Sequence, residues 1–261
     1  MMRGETFSAD TRREKILELL NTSGKVKVSE LALLFGISEV SIRNDLIELE
    51  KKGDLERTHG GAVSTVRTYY NMDFFERKNK NVEEKRNIAA KVASLISDGD
   101  TVMLNAGTTS FFIANELKAF RKLKIITNSI AVVMDLANSS GINVTLLGGK
   151  FNPAYHFSYG DDAATQLRRY NTDVSILSID GVAALHGLTT YHEEEAEICR
   201  MMLARAKRRI IAADFSKIGR ESFTAVAGIE EVDILVTNEN ASKDECALLE
   251  ELNPQIIIHK V

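Results

Sequence analysis

Apolar residues recur at helical spacing near the start of the chain. Between Thr11 and about Leu20, the residues Ile16, Leu17 and Leu20 fall three and four positions apart, which predicts a helix with one buried face. Thr11 and Glu14 have the spacing of a capping box, so this helix is expected to begin at Thr11.

The next segment alternates briefly and then returns to helical spacing. Lys25 to Val28 predicts a short strand, Ser29 to Leu34 a helix, and Phe35-Gly36-Ile37 a turn. A second helix is expected to begin after Ser38, which is a suitable N-cap residue. Two helices joined by a glycine-containing turn form a helix-turn-helix pattern.

The second helix of this pair has one apolar stripe. Ile42, Leu46 and Leu49 lie four and three positions apart and are expected to be buried together. Gly53 is expected to end this helix. The polar residues on its other faces are then available to a partner.

Two short strands and an aperiodic segment follow. Leu55 to Thr58 and Ala62 to Val66 can pair across Gly60-Gly61, which predicts a two-stranded wing. Residues 67–84 are polar and of mixed charge and show no clear period. They are predicted to be an interdomain connector that packs partly through the aromatic residues Tyr69, Tyr70, Phe74 and Phe75.

In the rest of the chain, short apolar runs alternate with segments of helical spacing. Strands are predicted at 101–105, 123–127, 142–149, 173–179, 208–213, 233–238 and 255–259, and helices at 83–97, 109–119, directly after 128–129, 161–169 and 193–206. Such alternation is typical of a parallel α/β sheet. The chain is therefore predicted to comprise a winged helix-turn-helix domain over 1–66, the connector over 67–84 and a larger parallel α/β effector domain over 85–261.

Composition and charge narrow the class of protein. The 261 residues are 44% hydrophobic, which is enough for two cores. The formal net charge of −4 argues against a protein that coats nucleic acid indiscriminately, because non-specific affinity comes mostly from Lys and Arg, but it leaves site-specific binding open. No apolar run approaches the roughly 20 residues of a membrane span. We therefore expect a cytoplasmic protein with no membrane partner.

No residue pattern indicates a metal or a cofactor. Cys199 and Cys246 lack CxxC spacing and are expected to be unpaired thiols. His186 and His192 are separated by a probable turn, and the run Glu193-Glu194-Glu195 suits the positive end of a helix dipole better than a ligand set. A basic cluster further on is expected to be a solvated helix end, with a subunit interface as the alternative; it comprises Arg205, Lys207, Arg208 and Arg209.

The helix after Ser38 carries side chains that suit the major groove of DNA. Arg pairs with guanine and Asn with adenine through paired hydrogen bonds, while Ser can contact phosphate. The predicted DNA-binding residues on this helix and the wing are Ser38, Glu39, Ser41, Arg43, Asn44, Arg57 and His59. The alternative is a small packing module whose polar face is only solvated.

The stretch TVMLNAGTTSFFIANEL at 101–117 predicts a strand, a tight polar turn and a helix. Such a turn directs backbone N–H groups and hydroxyls at an anion, and glycine lets the backbone approach the anion closely. The predicted anion-binding residues are Asn105, Gly107, Thr108, Thr109 and Ser110. The alternative is that Gly and Thr only cap the helix.

Other turns are expected at the same edge of the sheet, because the carboxyl ends of parallel strands share one crevice. Further predicted effector residues at these turns are Asn128, Ser129, Gly148, Gly149, Asp180 and Lys217. Lys217 is the candidate second partner for a phosphate or carboxylate, and Asp180 the candidate for sugar hydroxyls. The alternative for Lys217 is a solvated surface lysine.

These residues resemble a known family. The segment RREKILELL to HGGAV is similar to the amino-terminal domain of DeoR-type bacterial repressors, whose hallmark is V-S-x-x-T-I-R-x-D-L followed by H-G-G-A; here 37–46 read ISEVSIRNDL and 59–62 read HGGA. The resemblance continues through NAGTT, ITNS, LLGG, GLTT, EEAEICR and ADFSKIGR, from about Arg12 to Glu239. It implies DNA binding and a sugar-phosphate sensor domain similar in fold to ribose-5-phosphate isomerases, with phosphate at Gly107, Thr108 and Thr109.

Two positions depart from the family pattern. Asn105 stands where the family usually has Asp, and Cys199 where it often has Lys. The first change removes a carboxylate that could bind a cation or act as a base, and the second removes a charge near the expected position of the ligand. Both leave ligand binding feasible and weaken the case for catalysis. An enzyme would need an acid and a base, for which Asp180 and Glu195 are the available carboxylates.

The sequence thus predicts a transcription regulator, a repressor of a sugar-utilisation operon. Operator DNA and a phosphorylated sugar are its expected partners. Because operators are normally paired half-sites, a homo-oligomer, either a dimer or a tetramer, is expected. One alternative is an isomerase-like enzyme that carries a regulatory DNA-binding domain, and another is an assembly module.

Overall fold

The computed structural model describes residues 8–23, 25–51, 55–64 and 72–261. The chain divides into two compact units, Met1–Met72 and Asp73–Val261. Three sequence predictions lie outside the described residues: the helix end at Gly53, the wing strand at 65–66 and the packing of Tyr69 and Tyr70.

The first unit is a winged helix-turn-helix. Its elements in chain order are α1 Ala9–Ser23, β1 Lys25–Lys27, α2 Val28–Phe35, α3 Glu39–Lys51, β2 Leu55–Thr58 and β3 Gly61–Ser64. The three strands form an antiparallel sheet in the order β1-β3-β2. The short strand predicted near Lys25 therefore joins the predicted wing as a third strand.

The helices of this unit bury the predicted apolar stripe. Ile42, Leu46 and Leu49 are each at most 2% exposed and pack in one core with Ile16 and Leu20. Gly36 ends α2 in the left-handed conformation, at φ 65°, which suits glycine.

The predicted start of α1 at Thr11 is wrong. The helix begins at Ala9, and the hydroxyl of Ser8 accepts the backbone N–H of Thr11 at 3.2 Å. Ser8 therefore provides the capping hydroxyl that the sequence assigned to Thr11.

Asp45 joins α3 to α1. Its carboxylate is 2% exposed and accepts hydrogen bonds from Arg12 Nε at 2.6 Å and Arg13 Nε at 3.1 Å. Both arginines lie on α1, so the Asp in the R-x-D-L motif orients the second helix of the helix-turn-helix.

The two glycines of the HGGA motif have different surroundings. A Cβ atom built on Gly61 would lie 1.9 Å from the carbonyl oxygen of Val26, because β3 runs directly against β1 there. A Cβ atom on Gly60 would have no atom within 4 Å. Gly61 is thus required by close backbone approach, and Gly60 is not.

The second unit is a parallel α/β structure. Its helices are α4 Phe74–Lys78, α5 Val82–Ala93, α6 Thr108–Leu117, α7 Ile130–Leu136, α8 Asp161–Leu167, α9 Glu193–Ala204 and α10 Lys243–Leu252. Its strands are β4 Thr101–Leu104, β5 Leu123–Thr127, β6 Ile142–Leu146, β7 Lys150–Asn152, β8 Phe157–Tyr159, β9 Thr172–Ser178, β10 Gly181–Ala183, β11 Gly187–Thr190, β12 Ala206–Ala212, β13 Thr224–Ala227, β14 Ile234–Thr237 and β15 Ile257–Lys260.

The seven predicted strands form one parallel sheet, in the order β15-β14-β12-β9-β4-β5-β6. A hydrophobic core covers each face: α5, α6 and α7 contribute to one, and α8, α9 and α10 to the other. Successive residues of β4 alternate between them, with Val102 and Leu104 in the first core and Met103 in the second. The predicted parallel α/β architecture is confirmed.

Several elements were not predicted. They are helix α4, the β7–β8 hairpin, the antiparallel sheet β10-β11-β13 and helix α10. The strands of the two small sheets have three or four residues each, too few to show a period. Helix α10 had a signal, since the hydroxyl of Ser242 caps it by accepting the backbone N–H of Glu245 at 3.2 Å.

The basic cluster near residue 207 is not a solvated helix end. Arg205 follows α9, and the other three residues lie in β12. All four bind groups of the same unit: Arg205 binds Asn171, Lys207 binds Asp173, Arg208 binds the carbonyl of Leu95, and Arg209 binds Asp233. The cluster therefore stabilises the amino-terminal edge of the sheet. None of the helices in the described part of the chain is long and apolar enough to cross a membrane.

Candidate DNA-binding surface and effector pocket

The predicted DNA-binding side chains lie on the outside of the first unit. Ser38, Glu39, Arg43 and Asn44 are exposed, and Ser41 is half-buried. The Ser38 hydroxyl caps α3 by accepting the backbone N–H of Ser41 at 3.2 Å. Ser38 is therefore engaged in capping, while the positions after it present their side chains outward from the first turns of α3.

Arg43 already has an anionic partner on its own helix. Its Nη2 atom donates to Glu39 Oε2 at 2.6 Å, one turn earlier, and both side chains are about half exposed. A DNA phosphate or guanine would have to compete with Glu39 for this guanidinium, because each would accept hydrogen bonds from the same N–H groups.

The wing is tied to the end of α3. Arg57 donates from Nε to Glu50 Oε2 at 2.7 Å, and its backbone N–H donates to Glu50 Oε1 at 3.0 Å. These hydrogen bonds lower the pKa of Glu50. Arg57 and Glu50 thus set the position of the wing, and the exposed His59 occupies the turn at its tip.

In the second unit, Asn105 connects the carboxyl ends of two neighbouring strands. Its side chain donates to the carbonyl of Ser178 at 2.8 Å and accepts the backbone N–H of the same residue at 2.8 Å. Ser110 Oγ also donates to Asn105 Oδ1, at 3.1 Å. Asn105 and Ser110 are both fully buried and face the protein rather than open space.

Asn128 and Ser129 likewise have internal partners. Asn128 accepts the backbone N–H of Ala106 at 2.9 Å and donates to the carbonyl of Ser158 at 3.2 Å. Ser129 caps α7 by accepting the backbone N–H of Val132. Asn128 therefore holds the loop after β4 in place from the end of β5.

A small cavity lies at this edge of the sheet. Of the predicted effector residues, Gly107, Thr108 and Asp180 line it. Thr109 is buried without lining it, and Gly148 and Gly149 belong to the loop leading into β7. The cavity has room for about one water molecule, so it is smaller than a sugar phosphate.

Gly107 is required by the shape of this cavity. It precedes α6 with φ 153°, and a Cβ atom on it would lie 2.7 Å from both Cβ and Oγ of Ser178. The first backbone N–H groups of α6 have no acceptor within the helix. The helix dipole adds partial positive charge at the same place.

A buried ion pair also lines the cavity. Arg77 of α4 donates from Nη2 to Asp180 Oδ1 at 2.9 Å, and both side chains are at most 10% exposed. The ring of Tyr155 lies 4.8 Å from the guanidinium carbon, in cation–π geometry. Phe74, one turn before Arg77, also lines the cavity.

The turn after α4 is held by a buried lysine. Lys85 Nζ donates to the carbonyl oxygens of Arg77 at 2.6 Å and Lys80 at 2.5 Å, and the residue is 2% exposed. Residues 73–84, assigned to the connector from the sequence, are thus part of the second compact unit. Lys85 orients the short helix that carries Arg77.

Asp180 is held in its ionised form. Burial raises its pKa, but the charges of Arg77 and Lys217 and the hydrogen bonds from Tyr191 N–H and Thr190 outweigh burial and lower it overall. Lys217 is 6% exposed, so it is not the solvated surface lysine of the alternative interpretation.

Glu195 has the opposite environment. Burial, followed by the negative charge of Asp180, raises its pKa to about 8. Thr190 Oγ lies 3.2 Å from Glu195 Oε2 and 3.1 Å from Asp180 Oδ2. The two carboxyl groups of the cavity are therefore different in charge at neutral pH.

The two departures from the family pattern contact each other. Asn105 Nδ2 lies 3.4 Å from Cys199 Sγ, although the residues are 94 positions apart in the chain. Burial, followed by the charge of Glu195, raises the pKa of the Cys199 thiol well above its usual range. A neutral amide–thiol pair thus lies beneath the cavity.

The His192 region is a helix start. Helix α9 begins at Glu193, with His192 at the N-cap position, as predicted. The Nε2 atom of His192 is buried without a hydrogen-bond partner among the described residues, and burial lowers its pKa. The described residues contain no group of three His, Cys, Asp or Glu side chains that could hold a metal ion.

Sequence reasoning did not assign Arg77, Tyr155, Thr190 or Glu195 to an effector site. Arg77 lies in a helix of five residues, too short to show an apolar period. Glu195 was considered only as a possible acid or base of an enzyme. The signal that could have found Thr190 is its place at the end of a strand, in the run GLTT that resembles the family.

Two family models match the chain. A DeoR-like helix-turn-helix domain matches residues 12–68, and a DeoR C terminal sensor domain matches residues 80–239. The chain belongs to the DeoR family.

The chain is similar to relatives that are named as repressors, and the similarity covers nearly the whole length of each. The HTH-type transcriptional repressor GlcR of Bacillus subtilis (strain 168) is 33% identical over 95% of this chain and 96% of its own. The lactose phosphotransferase system repressor of Streptococcus mutans serotype c is 33% identical over 88% and 92%. This DeoR-family chain is therefore a transcriptional regulator and not an enzyme.

A solved structure of ribose 5-phosphate isomerase A from Methanocaldococcus jannaschii is also similar to this DeoR-family chain. It is 18% identical, covers 53% of this chain and 55% of its own, and has a TM-score of 0.40. That degree of similarity does not bear on function.

Proposed function

We propose that this DeoR-family regulator is a repressor of a sugar-utilisation operon and that its effector is a phosphorylated sugar bound at the cavity beside Gly107. The observation that carries the proposal is the meeting of the α6 amino terminus, the Arg77–Asp180 ion pair and Glu195 around one cavity. One relative is named for a lactose phosphotransferase system, which agrees with a sugar-linked signal.

Each end of a sugar phosphate has a suitable group in this cavity. The phosphate would accept hydrogen bonds from the first backbone N–H groups of α6, where the helix dipole contributes about 0.3–1 kcal/mol. The planar guanidinium of Arg77 is well suited to phosphate oxygens. Asp180 and Thr190 would meet sugar hydroxyls.

The small size of the cavity suggests how binding is coupled to DNA. A sugar phosphate is much larger than one water, so it enters only when a wall moves, and α4 is the shortest helix of that wall. An effector that binds only the open state shifts the population toward that state. A shift of residues 72–84 would then change the spacing of two DNA-reading domains in a homo-oligomer.

The DNA-binding part is tested with Arg43→Ala in a titration against labelled DNA from upstream of its own gene. We expect a loss of about 1–3 kcal/mol in specific binding if Arg43 contacts a base. Lys15→Ala is the matched control, because Lys15 has the same charge and similar exposure, 53% against 55%, but lies on α1. Equal effects of both variants would contradict the placement of α3 in the groove.

The effector part is tested by repeating the titration with a panel of sugar phosphates, including fructose-6-phosphate and glucose-6-phosphate. Thr108→Val should leave DNA affinity unchanged and weaken the response to the active compound. Thr224→Val, in β13, removes a hydroxyl away from the cavity and should respond as the unaltered protein does. If no sugar phosphate changes DNA affinity, the proposed effector class is wrong.

The oligomer is tested by light scattering at the concentration of the DNA titration. A dimer or tetramer is expected, because paired half-sites require two DNA-reading domains. A monodisperse monomer that still binds the DNA specifically would contradict this part of the proposal.

A further inference from the structure

One hydroxyl group lies between the two carboxyl groups of the cavity. Thr190 Oγ is 3.1 Å from Asp180 Oδ2 and 3.2 Å from Glu195 Oε2, and all three residues are at most 8% exposed. A threonine hydroxyl has a single proton and can donate to only one of these oxygens. The other contact therefore needs a proton from the carboxyl side.

The remaining hydrogen bonds decide which carboxyl group carries that proton. Asp180 also accepts from Arg77 Nη2 at 2.9 Å and from the backbone N–H of Tyr191 at 3.1 Å, so it is surrounded by donors. Among the described residues, Thr190 is the hydrogen-bond partner of Glu195. The consistent arrangement is Glu195 O–H donating to Thr190 and Thr190 O–H donating to ionised Asp180.

We propose that Glu195 is a neutral carboxylic acid in this cavity and that the effector phosphate binds only while Glu195 carries its proton. The inference rests on the proposed function, since it assumes that the cavity receives a phosphorylated sugar. Glu195 is then the residue whose protonation determines whether the cavity accepts a doubly charged phosphate.

The reason is the charge of the ligand. Glu195 lines the same cavity as Gly107 and Thr108, where the phosphate would lie. A sugar phosphate is close to a dianion above about pH 7, because its second pKa is about 6. An ionised Glu195 would add a second negative charge beside Asp180 and repel the phosphate, whereas the neutral acid does not.

Other titratable groups around Glu195 do not explain the same behaviour. Burial, followed by the charge of Asp180, raises the pKa of Glu195 to about 8, so Glu195 ionises at a pH that a binding experiment can reach. Burial lowers the pKa of His192, so His192 stays neutral above pH 7. Burial raises the pKa of the Cys199 thiol well above its usual range. The charged and titratable groups around Glu195 and its partner Asp180 are Arg77 on α4, Tyr155 between β7 and β8, Asp180 after β9, His192 and Cys199 on or beside α9, and Lys217 after β12.

The first test measures the affinity of the full chain for fructose-6-phosphate, or another panel compound found to bind, by calorimetry between about pH 7 and about pH 9.5. The dissociation constant should begin to rise near pH 8 and approach an increase of about tenfold per pH unit above that value. A constant affinity across this range would overturn the inference while leaving the proposed function intact.

Glu195→Gln keeps the shape of the side chain at this position and removes its ability to ionise. Glutamine is neutral at every pH and can donate a hydrogen bond to Thr190, so its affinity should stay high and independent of pH. Glu194→Gln is the matched control, because it makes the same substitution at the neighbouring exposed position of α9 and should keep the pH dependence. An unchanged slope in Glu195→Gln would also overturn the inference.

A ligand-free measurement keeps the two proposals distinguishable. The infrared difference spectrum between the unaltered protein and Glu195→Gln should contain the C=O band of a protonated carboxyl group at neutral pH, and this band should disappear at high pH. Its absence at neutral pH would refute the neutral Glu195. If the band is present but no sugar phosphate binds, the proposed function fails and the effector dependence inferred from it fails with it.

Discussion

Asp45 offers the sharpest test of how the helix-turn-helix is held together. Its buried carboxylate accepts from two arginines of α1, at 2.6 and 3.1 Å, so Asp45→Asn should loosen α3 from α1. Asparagine keeps one acceptor oxygen of the same shape and removes the negative charge. The change therefore affects the ion pairs without creating a cavity.

The magnitude follows from these contacts. A hydrogen bond to a charged group contributes about 1.5–3 kcal/mol, and breaking a fully buried ion pair costs about 3–5 kcal/mol. The side chains of Arg12 and Arg13 are 13% and 24% exposed, so water partly replaces the lost partner. With one acceptor retained, we expect a loss of about 2 kcal/mol in the local stability of α1 and α3.

Hydrogen exchange read by mass spectrometry resolves this local effect in the full chain. A loss of about 2 kcal/mol corresponds to amide exchange about 30-fold faster in peptides covering α1 and α3. Asp10→Asn is the matched control, because Asp10 also faces Arg13, at 3.6 Å, but its side chain is 90% exposed. Equal exchange rates in the two variants would refute the reasoning.

Three further outcomes are expected. Gly61→Ala should destabilise the wing by about 1–3 kcal/mol or more in thermal unfolding, whereas Gly60→Ala should be close to neutral. Glu39→Gln should release the guanidinium that it holds on α3 and raise affinity for non-operator DNA, most clearly at low salt. Hydrogen bonds, first that from Lys207, lower the pKa of Asp173, so its carboxylate stabilises the fold above its ordinary pKa and stabilises it less as the pH falls. Asp173→Asn should therefore be less stable than the unaltered protein at neutral pH, and the difference in stability between the two proteins should disappear in acid.

The order of helices and strands was predictable because most elements have a strong period. The buried strands of the parallel sheet are continuous apolar runs, and α3 carries its stripe at Ile42, Leu46 and Leu49. The shared edge of the sheet followed from the topology alone. Some short elements, such as the five-residue helix α4, were missed because so short a segment has no measurable helical period.

The inner wall of the cavity was harder to predict. A polar residue at the end of a strand can face either the ligand or the protein, and Asn105 faces the protein, where it binds Ser178. The contact between Asn105 and Cys199 joins positions 94 residues apart, which one sequence cannot reveal. Arg77 enters the cavity through an ion pair with Asp180, 103 residues away.

The position of α4 has a practical consequence for separating the two halves of the molecule. The sensor-domain model matches residues 80–239, but Phe74 and Arg77 precede that range and the edge strand β15 follows it. A fragment cut at those limits would lack the guanidinium of the cavity and would expose the unpaired edge of β14, a surface that promotes aggregation. A fragment that starts at Asp73 and runs to Val261 matches the second compact unit and retains both the guanidinium and β15, so its failure to bind a ligand would be informative.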